Sequence, residues 1–422
     1  MFVLPKTSAE SPDSASTPCS HQGARFALDG AAALLVAVLP VLMAFANRSS
    51  PLVMGIAALL CVGGAVLEWG AGRVLAAIKR IVLSPEGIAS LLLLAWALVS
   101  IAWSVDRRQS LAAYAELMAP LAAGVLLAAC LPERLPRWAP LALAAAIVAT
   151  SALVAVEVRL GFPLRRLWSG RMETFVMNRP IVTVALLFWP LAASLRSQGR
   201  RGLALAVFAA VAAGAVLSTS GTSKLAVLVG AGAYAISLAT PRLAGACLAP
   251  VLAALLLIQP VFGVVVERVT PARAFDALAS AHARERVDIW ISFGEVAMRR
   301  LGTGTGFGSS PKLPNDPVVA EVPAQHREML GVGHPHDALL QVWSELGAPG
   351  AAFALLLLLM AARHIRRLPE DRRPEAIACL AAAVAIGVES HGAWQAWWIA
   401  TVTLPVLLFR RLQPSAAVTP RA

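Results

Sequence analysis

Apolar runs long enough to cross a bilayer recur along nearly the whole chain, and this limits the fold more than any other feature. They can be drawn at 28–46, 51–70, 87–103, 110–131, 138–158, 180–195, 202–219, 223–240, 243–263, 337–362, 375–390 and 393–409. A bilayer core about 30 Å thick takes roughly 20 mostly apolar residues per helix. Lipid offers the backbone no hydrogen bonds, so each run must be helical. The sequence therefore predicts an all-α polytopic membrane protein with about 12 transmembrane helices. With 58% hydrophobic and only 14% charged residues, the chain has too little polar surface for a soluble protein of its length. The thinnest division is Ser218–Lys224, between the seventh and eighth runs; fusing them would invert everything downstream.

In a soluble protein a formal charge of +12 would suggest nucleic acid as partner. Here the charge must first be sorted by side of the membrane. An even number of spans puts both termini on one side. With the termini inside, the inner loops hold Arg73, Lys79, Arg80, Arg134, Arg137, Arg196, Arg200, Arg201 and Arg242, then Arg363, Arg366, Arg367, Arg372 and Arg373, with Arg410 and Arg411 following the last run. The short outer loops hold mainly Arg48, Arg107, Arg108 and Lys224. This asymmetry matches the positive-inside rule, so both termini are expected to be cytoplasmic.

The expected organisation follows. Residues 1–27, polar and rich in Ser and Pro, lack the basic start and apolar run of a signal peptide and read as a disordered cytoplasmic tail. Helices 1–9 occupy 28–263, an outer loop subdomain 264–336, helices 10–12 residues 337–410, and a short cytoplasmic tail 411–422. Cys19, Cys61, Cys130, Cys247 and Cys379 are scattered with no C-x-x-C pair, which suggests neither a disulfide framework nor a zinc site.

Two outer segments break the pattern. The loop between the fifth and sixth runs carries Arg159, Arg165, Arg166, Arg171 and Arg179 against one acid, Glu173. It is either a solvated loop outvoted by the others or a site for an anionic group, since arginine's planar fork suits phosphate oxygens. The long loop opens with an amphipathic stretch, Pro271–Arg300, and continues with Gly and Pro punctuation to Pro335. A loop of that length is functional or disordered.

The densest chemistry is His334-Pro335-His336-Asp337, where the long loop re-enters the membrane. Two imidazoles there could supply a general base or a metal ligand, or be interfacial histidines with Asp337 capping the next helix. No neighbouring group completes a metal-ligand set at familiar spacing. Gly302-Thr303-Gly304-Thr305-Gly306-Phe307-Gly308 lacks the Lys-Ser/Thr ending of a phosphate loop, so it reads as a tight turn and not as a nucleotide site. Arg286 and Trp290 share a helix face. Lys224 could be an interfacial anchor. Glu389 and His391 lie in the last outer turn, and Trp394, Trp397 and Trp398 behind them most simply form an aromatic belt.

Taken together, Asn178-Arg179, Arg286–Trp290, the Gly302–Gly308 turn and His334-Pro335-His336-Asp337 followed by Leu340-Gln341, Glu345-Leu346-Gly347 and Gly350 resemble the O-antigen ligase and polymerase superfamily, over about 171–362. Two positions depart from the family pattern: Asp337 stands where Asn is common, and Ser223-Lys224 where many members have Ser-Arg. The resemblance implies a GT-C-like fold in the bacterial inner membrane with a periplasmic loop subdomain and a periplasmic active site. It implies an O-antigen ligase, moving a glycan from undecaprenyl pyrophosphate to a sugar hydroxyl of lipid A–core with inversion, without cofactor, metal, nucleotide or nucleic acid. On that reading His336 is the base; Arg179 and Arg286 hold pyrophosphate, with Arg166, Arg171, Lys224 and His334 as further donor contacts. The alternatives are a polymerase or protein O-oligosaccharyltransferase of the same superfamily, or a lipid-linked sugar flippase. A flippase should bury charges mid-membrane in two related halves, a pattern the sequence does not show.

Overall fold

The computed structural model describes residues 19–168, 171–277 and 282–412. Among these, every regular element is helical. The α-helices run in chain order α1 (Cys19–Phe45), α2 (Ser50–Trp69), α3 (Ala71–Val82), α4 (Pro85–Ser100), α5 (Arg107–Cys130), α6 (Ala139–Arg159), α7 (Asn178–Ser197) and α8 (Arg201–Leu217). They continue with α9 (Gly221–Ala239), α10 (Pro241–Leu257), α11 (Gln259–Val269), α12 (Ala272–Ala277), α13 (Ala283–Arg299), α14 (Ala338–Arg366), α15 (Arg373–Glu389) and α16 (Ala396–Arg411).

Eleven of the twelve apolar runs each coincide with a helix, and the ninth falls on two, α10 and α11. Eight helices among the described residues are long and apolar enough to cross a membrane: α1, α2, α4, α5, α6, α7, α9 and α14. The chain is thus a polytopic helical membrane protein. Surfaces such as Leu91, Leu92 and Leu98 on α4 or Leu228 on α9 stand exposed, as lipid-facing residues must. The division at Ser218–Lys224 is real, because Ser220 accepts from the amide of Ser223 and starts α9 afresh.

Three sequence expectations change. Residues 19–27 were expected in a disordered tail but form the first turns of α1. Arg25 explains this: it donates to Asp29 one turn on, reaches Glu68 of α2, and covers the Trp69 ring at 4.7 Å. The rest of that tail, and the C-terminal one beyond residue 412, lie outside the described residues. The ninth run is broken: α10 and α11 meet at 91°, with Pro260 just inside α11. Gly263 of α11 lies so close to α13 that a Cβ would meet the Ile291 amide at 2.6 Å, so α11 packs with the loop subdomain. Trp397 and Trp398 are buried inside the bundle, not spread as an interfacial belt.

α7 is the axis of the bundle. Every residue from Pro180 to Leu195 is buried, against α1, α6, α8, α9, α15 and α16. Whatever sits at the start of α7 is therefore held at the middle of one end of the molecule. That end also receives the starts of α9, α14 and α16 and the end of α15.

Candidate functional site

At that end three chain segments converge: α13, the His334–Asp337 link, and the turn from α15 to α16. Arg286 of α13 donates to the Glu389 carbonyl at 2.6 Å and lies 3.6 Å from the Glu389 carboxylate. Thr222, in the first turn of α9, donates to the same carboxylate. Arg286 and Glu389 each keep about a fifth of their side chains exposed, at 22% and 21%. The guanidinium is thus anchored but not used up.

The two histidine rings lie against each other at a tilt of 46°, with centroids 4.2 Å apart. His336 adopts φ 53°, the left-handed region that a side chain rarely occupies. Two bonds hold this strained backbone: the His336 amide donates to His334 Nδ1 at 3.1 Å, and His336 Nδ1 lies 3.2 Å from the Ser390 carbonyl. These contacts fix the tautomers. A carbonyl only accepts, so His336 carries its proton on Nδ1 and leaves the Nε2 lone pair free. His334 accepts at Nδ1, so its neutral ring carries the proton on Nε2; Gln395 Nε2, itself a donor, lies 3.5 Å from that atom and is no partner for it. Burial, with Arg286 nearby, lowers the pKa of His336, and the Ser390 carbonyl opposes this only in part. Burial beside His336 and Arg286 takes His334 down to about 3. Both rings are neutral at physiological pH.

His391 completes the group. It is buried edge-on to Trp397 at 4.7 Å, and its Nε2 has no hydrogen-bond partner. Burial brings it down to about 3, helped by Arg179, His334, His336 and Arg286, which all lie within its electrostatic reach. Arg179, at the start of α7, lays its guanidinium over Trp397 at 5.0 Å, with Arg48 near enough to repel it. Arg179, Arg286, His334 and His336 are thus brought together.

The other expected donor contacts are not. Arg166 and Arg171 are exposed, and nothing among the described residues ties either to the histidines. Lys224 is exposed two residues beyond Thr222. Arg165 of the same basic loop is structural: it donates to the Ala44 carbonyl at 2.6 Å and lies beside Glu157.

The Gly302–Gly308 turn has a definite task. Gly304, Gly306 and Gly308 take positive φ, and the strap passes so close to α14 that a Cβ on Gly304 would overlap the Glu345 backbone at 2.3 Å. Glu345 is buried and accepts from Gly308 N (2.6 Å), Ser310 Oγ (2.5 Å), Gln341 Nε2 (2.8 Å) and Trp394 Nε1 (2.7 Å). Gln341 in turn accepts from the Ala393 amide at 2.8 Å, which fixes the turn bearing Glu389 to His391. Glu345 is a positioning carboxylate.

Asp337 caps α14, accepting from Leu339 and Leu340 through Oδ1. Complete burial pushes it up to about 8, against those amides and Gln259. Asp337 Oδ2 and Gln259 Oε1 are both buried without a partner. At neutral pH a pKa of about 8 leaves Asp337 protonated, a donor at Oδ2 in place of a buried charge.

Sequence reasoning missed Glu389, His391, Gln395, Trp397 and Arg48 as members of this site. Glu389 and His391 stood out only as polar residues in a short turn before a Trp-rich helix. That signal suits an interface equally well, and the partners of Glu389, which are Arg286 and Thr222, lie 103 and 167 residues away in sequence.

The fold and the cluster define a polytopic membrane protein with a cationic, histidine-bearing site at one end. Residues 204–355 match the family model described as O-Antigen ligase. Proteins named "Putative polysaccharide ligase" from Rickettsia felis and Rickettsia conorii are each 23% identical, over 76% and 78% of this chain and 79% and 80% of their own lengths. One of the same name from Rickettsia bellii is 27% identical over 36% of this chain and 38% of its own. Over residues 204–355 the chain is thus similar to the O-antigen ligase family, the same family that its motifs resemble.

Proposed function

We propose that this protein is an O-antigen ligase that moves a glycan from undecaprenyl pyrophosphate to a sugar hydroxyl of lipid A–core. The reaction runs at the periplasmic face of a bacterial inner membrane, in a GT-C-like bundle of about twelve spans with both termini cytoplasmic. Sidedness is supported by the short connections at the end remote from the histidines, which carry Arg196, Arg200, Arg201, Arg363, Arg366, Arg367, Arg410 and Arg411.

The observation that carries the reading is one free imidazole lone pair held among guanidinium groups. His336 Nε2 takes the proton of the acceptor hydroxyl as the oxygen attacks the anomeric carbon. The carbon–oxygen bond to pyrophosphate breaks, its electron pair leaves with the phosphate oxygen, and configuration inverts. Arg286 and Arg179 meet the charge growing on the leaving group. His334 Nε2–H donates to the same anion, a role distinct from that of the base. The diphosphate linkage already holds the energy of transfer, so neither nucleotide nor metal is required. Arg166, Arg171 and Lys224 are then peripheral donor contacts, reached only by the glycan or carrier beyond the diphosphate.

The test is incubation of purified protein with lipid-linked glycan and lipid A–core, without nucleotide and with chelator. Glycan attached to lipid A–core is the expected product. Glycan joined only to glycan would make the protein a polymerase, and transfer that returns only on adding metal would remove the metal-free step.

A further inference from the structure

We propose that a second site, the cleft between the α4–α5 turn and the Ser310–Asn315 turn, binds the phosphate-bearing head group of the acceptor glycolipid; this rests on the transferase reading above. The cleft has a volume of about 640 Å³ and is lined by Ser104, Val105, Asp106, Arg107, Lys312 and Asn315. Arg107 and Lys312 enter from opposite walls, and neither forms an ion pair among the described residues. The one acid, Asp106, is turned to cap α5, accepting from the Gln109 amide at 3.0 Å. Two unpaired cations across an open polar cleft make an anion site.

Its surroundings say which anion. The approach along α4 is an exposed apolar face, with Leu98 and Val99 about half exposed and the rings of Trp96 and Trp103, next to Ser104 in the chain, 5.6 Å apart and tilted. That face suits an acyl chain in lipid, so the ligand is an amphiphile with an anionic head. The cleft is also tied to the catalytic cluster. Gly306 crosses Ser104 so closely that a Cβ would meet its Cα at 2.8 Å, and Phe307 N donates to Ser100 Oγ at 2.9 Å. From there the strap runs to Glu345, Gln341 and the turn beside His334. The diphosphate carrier occupies Arg179 and Arg286, which leaves this cleft to the second substrate.

The test uses full-length protein in phosphatidylcholine nanodiscs. Binding is measured for lipid A–core, for the same glycolipid with its phosphates removed, and for phosphatidylglycerol. Wild type should bind the phosphorylated glycolipid about ten-fold more tightly than the dephosphorylated form. Lys312→Glu and Arg107→Glu should erase that preference and leave binding of the lipid-linked diphosphate donor unchanged. Arg107→Glu places an acid in the first turn of α5, where the helix dipole favours it, so folding is not at stake. Equal binding of the two glycolipids, or reversal variants that bind like wild type, would overturn the proposal. Equal binding of phosphatidylglycerol would overturn it too, by making the cleft a general phospholipid site. If the binding pattern holds but wild type transfers no glycan, the transferase reading fails and the cleft assignment stands. If transfer proceeds while the reversals bind the acceptor normally, the cleft assignment alone fails.

Discussion

At the end of the bundle remote from the histidines, Arg196 lies 2.7 Å from the buried carboxylate of Glu375, His364 lies 2.7 Å from Glu86, and Arg25 is held between Asp29 and Glu68. At the histidine end, Arg179, Arg286, His334 and His336 gather around His391; Arg286 is met by Glu389, and Arg179 rests on a tryptophan face with no carboxylate paired to it among the described residues. Both ends are rich in cations. At the remote end the buried Arg25 and the partly buried Arg196 meet carboxylates, whereas at the histidine end the largely buried Arg179 meets none among the described residues. Burying unpaired positive charge is costly, so the imbalance marks where an anion is expected.

The contrast can be broken most sharply at the histidines. His336→Ala should lower the transfer rate by about 10²–10⁴-fold, leaving the amount of folded protein and donor binding unchanged. The pH profile adds a second check. The base works deprotonated and its pKa is lowered, so the acid limb of the rate should fall below pH ~6.5, the ordinary histidine value. A limb at or above that value would argue for another base.

Glu345→Ala should behave differently. It strips a common acceptor from Gly308, Ser310, Gln341 and Trp394. Each buried donor left unpaired costs about 1–3 kcal/mol, so the variant should be scarce and melt early. Glu345→Gln should recover much of the yield. A stable, inactive Glu345→Ala would instead put this carboxylate in the chemistry.

Arg196→Ala tests the balanced end. Removing it leaves Glu375 buried and alone, a loss of about 3 kcal/mol or more. Thermal stability should drop, yet the transfer rate per folded molecule should hold. A specific loss of rate would show that the cations of both ends serve the reaction.

The smallest effect is expected at Asp337. Its folded-state pKa of about 8 lies above the ordinary carboxyl value of 3.8. Between these values the unfolded chain has lost the proton that the folded chain keeps, so stability falls as pH rises through that window. Asp337→Asn should therefore raise the melting temperature at pH 7.5, and the gain should vanish near pH 4. No gain at neutral pH would mean that Asp337 is ionised and its Oδ2 otherwise satisfied.

The helices were legible because lipid forces a long apolar run for each span, a signal contained in the run itself. The 91° bend between Leu257 and Gln259 was not, since the apolar run continues through it and α11 is turned by its packing against α13, a contact distant in sequence. Arg25 inside α1 was likewise hidden, because a basic residue in a polar stretch looks like tail until Glu68 meets it. At the site, His334, His336, Arg179 and Arg286 stood out by residue type and spacing. Glu389, His391 and Trp397 did not, because their meaning comes from partners on α9, α13 and α7. The basic loop misled in part: Arg165 serves the fold, and Arg166 and Arg171 face outward.

The most direct measurement compares the two ends with one ligand. Binding of a lipid diphosphate, and of the matching lipid monophosphate, is titrated onto wild type, Arg179→Gln, Arg286→Gln and Arg200→Gln. The account predicts that either change at the histidine end weakens the diphosphate about ten-fold or more and narrows its advantage over the monophosphate, while Arg200→Gln binds as wild type does. Undiminished diphosphate affinity in both Arg179→Gln and Arg286→Gln would contradict it.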